Sequence, residues 1–488
     1  MRRLALAALA LAVAGCSGKP AAPAERRIVI LHTNDIHGRV RPGGPVPGLA
    51  AVAAHIRKAR ALAQSAGARV IVVDCGDFFQ GTPEGDMLEG RLVIDCMNAI
   101  GYDALCLGNH DFDLGPKVVE ALKARARFPF LAANVVRKGG RDPPDWAVSS
   151  VIFEDVNVEI AGLTTSEMPQ LTTEKAREGL EFEREERTLE RFRWRAGVVR
   201  ILATHVGLKR DRELAAKFPD LAAILGGHSH EKACEQVGGV HILQSLCHGA
   251  QVGRLELVVR DGKVVSASAS LEAVDPKQQD PEVKAIIDRA TPDIDRVMDE
   301  VVGELAQEMP AGKRGDMASS PLGNHLTDIM RAATGVDVAL HNRTGIRAPL
   351  RKGRVRLRDI YQVSPFGNTV VTMTLTGAQL RALLEFSLSD GTRLLLEMSG
   401  AELEFDAAAD KGRRVTAVTV GGAPLDPAKT YRVATNSFLA PGGDGHSVFE
   451  RGKERTDTLR VILDLHRAAL EKERPLKVEF RNRIRAKS

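Results

Sequence analysis

Cysteine is scarce and scattered, with six in 488 residues, and that spacing excludes a disulfide-built framework. The net charge is only +5 with 27% charged residues dispersed along the chain, so the clustered basic face that a nucleic-acid polymer requires is missing. No long apolar run follows the N-terminal segment, so no membrane span is expected in the body of the chain. No internal repeat is visible. Aromatic residues make up 4% of the sequence, which gives weight to any that fall in turns instead of strand interiors. What is present is a 44% hydrophobic composition, enough for two or three domains with substantial cores.

The opening MRRLALAALALAVAGC carries arginines and then an apolar stretch of signal-peptide length, too short to cross a bilayer. Ala14 and Gly15 before Cys16 resemble a bacterial lipobox, which implies that Cys16 is acylated and becomes the mature N-terminus; the alternative is ordinary cleavage with an incidental cysteine. Residues 1–16 are therefore expected to be a lipoprotein signal and 17–26 a tether. The expected location is outside the cytoplasm, anchored by lipid alone to the periplasmic or outer-membrane face of the envelope. Setting Cys16 aside leaves Cys75, Cys96, Cys106, Cys234 and Cys247, an odd number, so at least one stays unpaired; Cys234 and Cys247 could close a loop.

Apolar, β-branched runs recur in the first half: RIVIL, ARVIVV, ALCL, VVRILA and LAAIL, each of strand length. Helical patterns such as LAAVAAHIRKARALAQSAG and PKVVEALKAR lie between them, so residues 27–279 are expected to form a layered α/β domain with buried strands. Residues 280–305 read as a linker helix interrupted near Pro292, and 306–488 as a separate α+β domain. The charged stretch 176–195 reads as a solvated helix face.

Every one of those runs ends in potential metal ligands: TNDIH, DCGD, GNHD, THVG and GGHSH. In α/β sheets such strand ends converge on one rim. Within NDIH, residues two apart in an extended segment share a side, so Asp35 and His37 can face one ion. Asp35, His37, Asp77, Asn109, His205, His228 and His230 mix carboxylate, amide and imidazole, a set that suits zinc, manganese or a similar metal. They are too many for one tetrahedral site and fit two adjacent divalent ions sharing one carboxylate. His110 and Asp113 stand three apart, close enough for the carboxylate to orient the imidazole and keep it cationic.

NDIH, GD, GNHDFD, TH and GHSH, in that order, resemble the metallophosphoesterase signature, and LHTNDIHGR, GDFFQGT, GYDALCLGNHDFDLG and GLTT narrow the resemblance to the 5′-nucleotidase family. The resemblance implies a dinuclear metallophosphoesterase domain followed by a substrate-binding domain. It makes Asp77 the bridging ligand, with Asp35, His37 and His230 on one metal and Asn109, His205 and His228 on the other. His230 stands where relatives often have glutamine. The family's catalytic dyad falls on His110 and Asp113. Phe366 in SPFGN and Phe438 in NSFLAPGGDGH take the positions that sandwich a nucleobase, Asp444 the one that contacts ribose, and Asn342 and Arg347 in HNRTGIR those near the phosphate. Two departures stand out: Thr344 replaces a usual glycine, and Asp316, Ala318 and Ser319 occupy a stretch where relatives tend to carry an arginine. Arg314 or Arg343 are the candidates to replace it.

The reading that follows is an exported, metal-dependent phosphohydrolase that removes phosphate from nucleotides, with a domain motion expected by analogy. Alternatives are a 2′,3′-cyclic phosphodiesterase with 3′-nucleotidase activity, a nucleotide-sugar hydrolase, a sulfur-oxidation hydrolase, or a non-catalytic nucleotide-binding surface lipoprotein. Retention of both Phe366 and Phe438 argues for a substrate bearing a base.

Overall fold

The computed structural model describes residues 25–312, 315–389 and 394–487. The signal segment, Cys16, most of the tether and Arg314 lie outside them. The five apolar runs are strands, but of two sheets. Arg26–Thr33, Arg69–Asp74 and Ala104–Cys106 pair in parallel within one six-stranded sheet. Val199–His205 and Ala223–Gly226 pair in parallel within a second.

Side-chain alternation explains why these strands read as continuous apolar runs. Ile71 and Val73 of Arg69–Asp74 join Ile160, Ile201 and Leu225 in a core between the sheets. Val70 and Val72, on the opposite face, pack with residues of helices Leu49–Ser65 and Arg91–Ile100. The outer face of the second sheet carries its own cluster, in which Leu202 and Ile224 meet Leu208 and Leu214. The first domain thus has four layers, helix, sheet, sheet, helix, and the C-terminal ends of both sheets' central strands meet at one edge. Cys75 and Cys106 are buried in the inter-sheet core.

The second domain is built on a five-stranded sheet, in order Leu396–Ser399, Val338–Asn342, Thr430–Asn436, Thr369–Thr376 and Lys453–Val461. Helix Gly377–Ser387 covers one face through Leu380, Leu383 and Leu384. Helix Pro321–Thr334 covers the other through Leu322, Leu326 and Met330, four residues apart and so on one stripe. That helix starts where Ser320 Oγ accepts from Gly323 N at 3.0 Å, with Pro321 supplying no donor, and stops at Gly335 in the left-handed region.

The stretch 280–305 contains two short helices and a strand. Pro281–Ala290 lays Val283 and Ile287 on the first domain's core, and Pro292–Met298 lays Ile294 and Met298 on the second's. Val301–Leu305 pairs with Gly353–Arg356. The charged stretch 176–195 corrects its expectation. Its only α-helix is Glu185–Arg191, preceded by strand Leu180–Phe182, and Glu185 is buried against Arg210. Cys234 and Cys247 are both free, so they close no loop. No helix among the described residues is long and apolar enough to cross a membrane.

Asp211 anchors helix Leu208–Lys217 to strand Val199–His205, accepting from Thr204 Oγ1 at 2.7 Å in full burial. Burial raises its pKa from 3.8 to about 7. The fold therefore prefers the protonated acid. The stability this preference contributes is complete below about pH 4 and is lost as the pH rises through 7. An Asp211→Asn variant lacks that loss, so its melting temperature relative to the parent should climb between pH 5 and pH 8. A difference that stays constant across that range would show that Asp211 does not fold as the acid.

Candidate metal centre and substrate cleft

The strand ends place their ligand candidates by leaving the extended conformation. Asp35, His37, Asp77, His228 and His230 all have positive φ, at 53°, 51°, 56°, 84° and 53°. Each such non-glycine residue costs about 1–3 kcal/mol and persists only where surrounding contacts enforce it. This corrects the extended reading of NDIH: Asp35 and His37 reach one point because both turn left-handed. The contacts that hold them are backbone bonds from the next strand, Asp35 N to Gly76 O at 2.9 Å and His37 N to Asp77 O at 2.8 Å.

Asp35, His37 and His230 bring ligand atoms together, as do Asp77, His205 and His228, each set within 4.8 Å. His230 Nε2 lies 3.2 Å from Asp35 Oδ1 and 3.1 Å from His37 Nε2. Asp77 sits between the sets, its Oδ2 3.1 Å from His205 Nε2 and 3.7 Å from His37 Nε2. Carbonyls fix the rings: His37 Nδ1 donates to Gln80 O at 2.9 Å and His205 Nδ1 to Cys75 O at 2.7 Å. Each therefore turns an Nε2 lone pair inward.

Burial alone would raise Asp35 and Asp77, but the surrounding imidazoles outweigh it, holding Asp35 at about 2 and Asp77 well below the usual carboxylate range. The same pull lifts His205 to about 10 against its own burial, which marks the spot as one that demands positive charge. A divalent ion answers that demand by displacing the proton. Asn109 Oδ1 and His205 Nε2 are buried without a hydrogen-bond partner, the latter close to Asp77 but misaligned. Two ionised carboxylates, inward imidazoles and an orphaned amide oxygen fit a pair of divalent ions.

His110 N donates to Asp77 Oδ1 at 2.8 Å, and its ring Nδ1 meets Asp113 Oδ2 at 2.7 Å. Burial pushes the imidazole pKa down, yet Asp113 and Asp77 outweigh it and the net shift is upward.

The centre opens into a cleft of about 830 Å³ between the domains. Asn342, Arg347, Phe366, Phe438 and Asp444 all line it from the second domain. The Phe366 ring stacks on His110, with centroids 5.8 Å apart and planes at 26°, and the Arg347 guanidinium carbon lies 5.8 Å from the Phe366 ring centroid. Asp444, at φ 52°, is held through Oδ2 by Asn342 Nδ2 at 2.9 Å and Thr344 Oγ1 at 2.5 Å. Thr344 is not among the residues with positive φ, so the turn has no need of glycine there.

Arg343 is excluded from the cleft as a substitute arginine. It is 8% exposed, pairs with Glu397 through Nε and Nη2 at 3.0 and 2.8 Å, and donates to Asp316 O and Ala318 O. Two lining residues escaped sequence reasoning. His248 has its ring 5.8 Å from that of His37 and 5.9 Å from that of His230. Its signal is faint, since CHG continues no motif. Arg39, in contrast, ends the NDIHGR stretch itself.

Gly76 sets how closely the strand ends approach. At φ 90°, a Cβ there would lie 2.5 Å from Gly108 N and 2.8 Å from His205 Nδ1. Gly76→Ala should cost about 1–3 kcal/mol in denaturant unfolding. An unchanged midpoint would mean that the strand ends are not packed this tightly.

Residues 28–232 match the calcineurin-like phosphoesterase family and 301–451 the 5′-nucleotidase C-terminal domain. A snake venom 5′-nucleotidase of Naja atra is 30% identical over 86% of this chain and 91% of its own. A trifunctional nucleotide phosphoesterase of Bacillus subtilis (strain 168) is 29% identical over 91% of this chain, which spans 34% of that longer protein. The crystal structure of a 5′-nucleotidase precursor from Thermus thermophilus superposes with a TM-score of 0.82 at 28% identity, covering 94% of this chain and 99% of that one. The chain belongs to the 5′-nucleotidase family, metal-dependent phosphoester hydrolases that use two divalent ions.

Proposed function

We propose that this protein is an exported 5′-nucleotidase that releases phosphate from nucleoside monophosphates. One observation carries the reading: two ligand sets and a histidine–aspartate pair face, across one cleft, an arginine and two turn phenylalanines of the second domain. Asp35, His37 and His230 would hold one ion, Asn109, His205 and His228 the other, with Asp77 between them. Bound there, two divalent ions would supply Lewis acidity at the phosphoryl oxygens and an activated water.

The chain's own groups do the rest. Arg347 presents a planar fork that matches phosphate oxygens. His110 has Nδ1 committed to Asp113, which leaves Nε2 to carry a proton toward the leaving oxygen. Asp444 has Oδ2 occupied by Asn342 and Thr344, and Oδ1 remains for a ribose hydroxyl. Phe366 and Phe438 offer flat apolar faces to a base. Export and acylation at Cys16 rest on the N-terminal sequence alone. Fatty-acid labelling that persists in a Cys16→Ser variant would remove the anchor from this reading.

The function is tested by assaying purified protein with AMP, other nucleoside monophosphates, 3′-AMP, 2′,3′-cyclic AMP and UDP-glucose, before and after chelation. AMP hydrolysis that falls on chelation and returns with divalent metal is the expected result. Exclusive cleavage of the cyclic or sugar nucleotide would assign a different substrate, and indifference to chelator would remove the metals from the chemistry. His110→Ala should lower kcat by about a hundredfold or more with metal content unchanged. An unaltered kcat would exclude the dyad.

A further inference from the structure

Arg347 is not the only guanidinium on the cleft wall. Arg39 lines it from the first domain, two residues beyond His37. The turn that projects it is rigid. Arg39 N donates to Ile36 O at 3.1 Å, and Thr82 Oγ1 donates to Gly38 O at 2.6 Å. Gly38 has φ 65°, and a Cβ there would fall 2.3 Å from Phe79 O.

Arg39 is largely withdrawn from water, and its Nε is buried with no hydrogen-bond partner. No side-chain hydrogen bond or ion pair of Arg39 is found among the described residues. The nearby carboxylates are committed elsewhere. Glu84 lies 3.6 Å from Arg41 and 3.3 Å from Arg358, and Asp86 accepts from Tyr361 Oη at 2.9 Å and from Gly81 N. Another cation, Arg347, lines the same cleft from the second domain. A largely desolvated cation whose nearby carboxylates, Glu84 and Asp86, are already engaged by other groups is costly in the free protein, and an anion between it and Arg347 is its natural complement.

We infer that Arg39 is a second phosphate-binding guanidinium, closing with Arg347 on one phosphate dianion, one arginine from each domain. The inference rests on reading the cleft as the site of a nucleotide phosphate. It supplies the arginine missing from the stretch before LGN from the opposite side of the cleft, since Arg343 is sequestered by Glu397. Arginine suits the role because two forks approaching from different sides can each take a pair of oxygens.

The test is calorimetric titration of inorganic phosphate, and separately of adenosine, into metal-loaded parent, Arg39→Gln, Arg39→Lys and Arg347→Gln proteins, with metal content and melting temperature measured in parallel. Arg39→Gln should weaken phosphate binding about tenfold or more and leave adenosine binding and metal content unchanged, and Arg39→Lys should recover part of the loss. Because the substitution removes a buried charge that makes no direct ion pair among the described residues, the melting temperature should hold or rise. Parent-like phosphate affinity in Arg39→Gln, with Arg347→Gln impaired, overturns this inference alone. Parent-like affinity in both overturns the reading of the cleft as a phosphate site as well. Weakened binding accompanied by lower melting temperature and lost metal would make Arg39 a structural residue and also overturn the inference.

Discussion

Asp77 is the point through which the first domain's architecture is tied together. One oxygen accepts the backbone N–H of His110 and the other faces the inward nitrogens of His205 and His37, so a single carboxylate at one strand end touches groups from three others, across two sheets. Keeping such a charge buried requires positive partners on every side. The left-handed turns at the strand ends, the glycines that allow them to close up, and the carbonyls that fix the imidazole rings all serve that requirement.

The first domain's strands were legible because strands buried on both faces leave continuous apolar runs, and the donors after them stood out for the same reason. Their division between two sheets was not legible. Period-two alternation says that both faces of Arg69–Asp74 are buried, not whether the inner face meets helices or another sheet. The NDIH geometry was misread because tertiary hydrogen bonds, from Gly76 and Asp77, impose a conformation that local preference disfavours. The charged stretch after residue 176 misled because its periodicity ignored a partner far along the chain: Arg210 draws Glu185 into burial.

The second domain's pocket was read through resemblance, and the departures from it proved to be local. Thr344 adds a donor to Asp444 without altering the sign of its own φ, and Arg343 is a neighbour of the pocket by sequence but not by space. Which arginines face the cleft depends on side chains that a motif scan treats as equivalent. Arg343 finds Glu397 on an adjacent strand, whereas Arg39 makes no direct side-chain ion pair among the described residues.

The contacts between the domains near the cleft differ in kind from those within them. Arg358 reaches Glu84 of the first domain and Asp295 and Asp299 of the connector, and Arg41 takes Asp295 with both terminal nitrogens at 2.7 Å. Several of these groups keep partial access to water, so each pair is individually weak and exposed to screening. Ionic strength is therefore expected to act on the domain arrangement: added salt should loosen this latch while leaving the apolar cores of both domains intact, which would make the gap between the domains sensitive to the salinity of the surroundings.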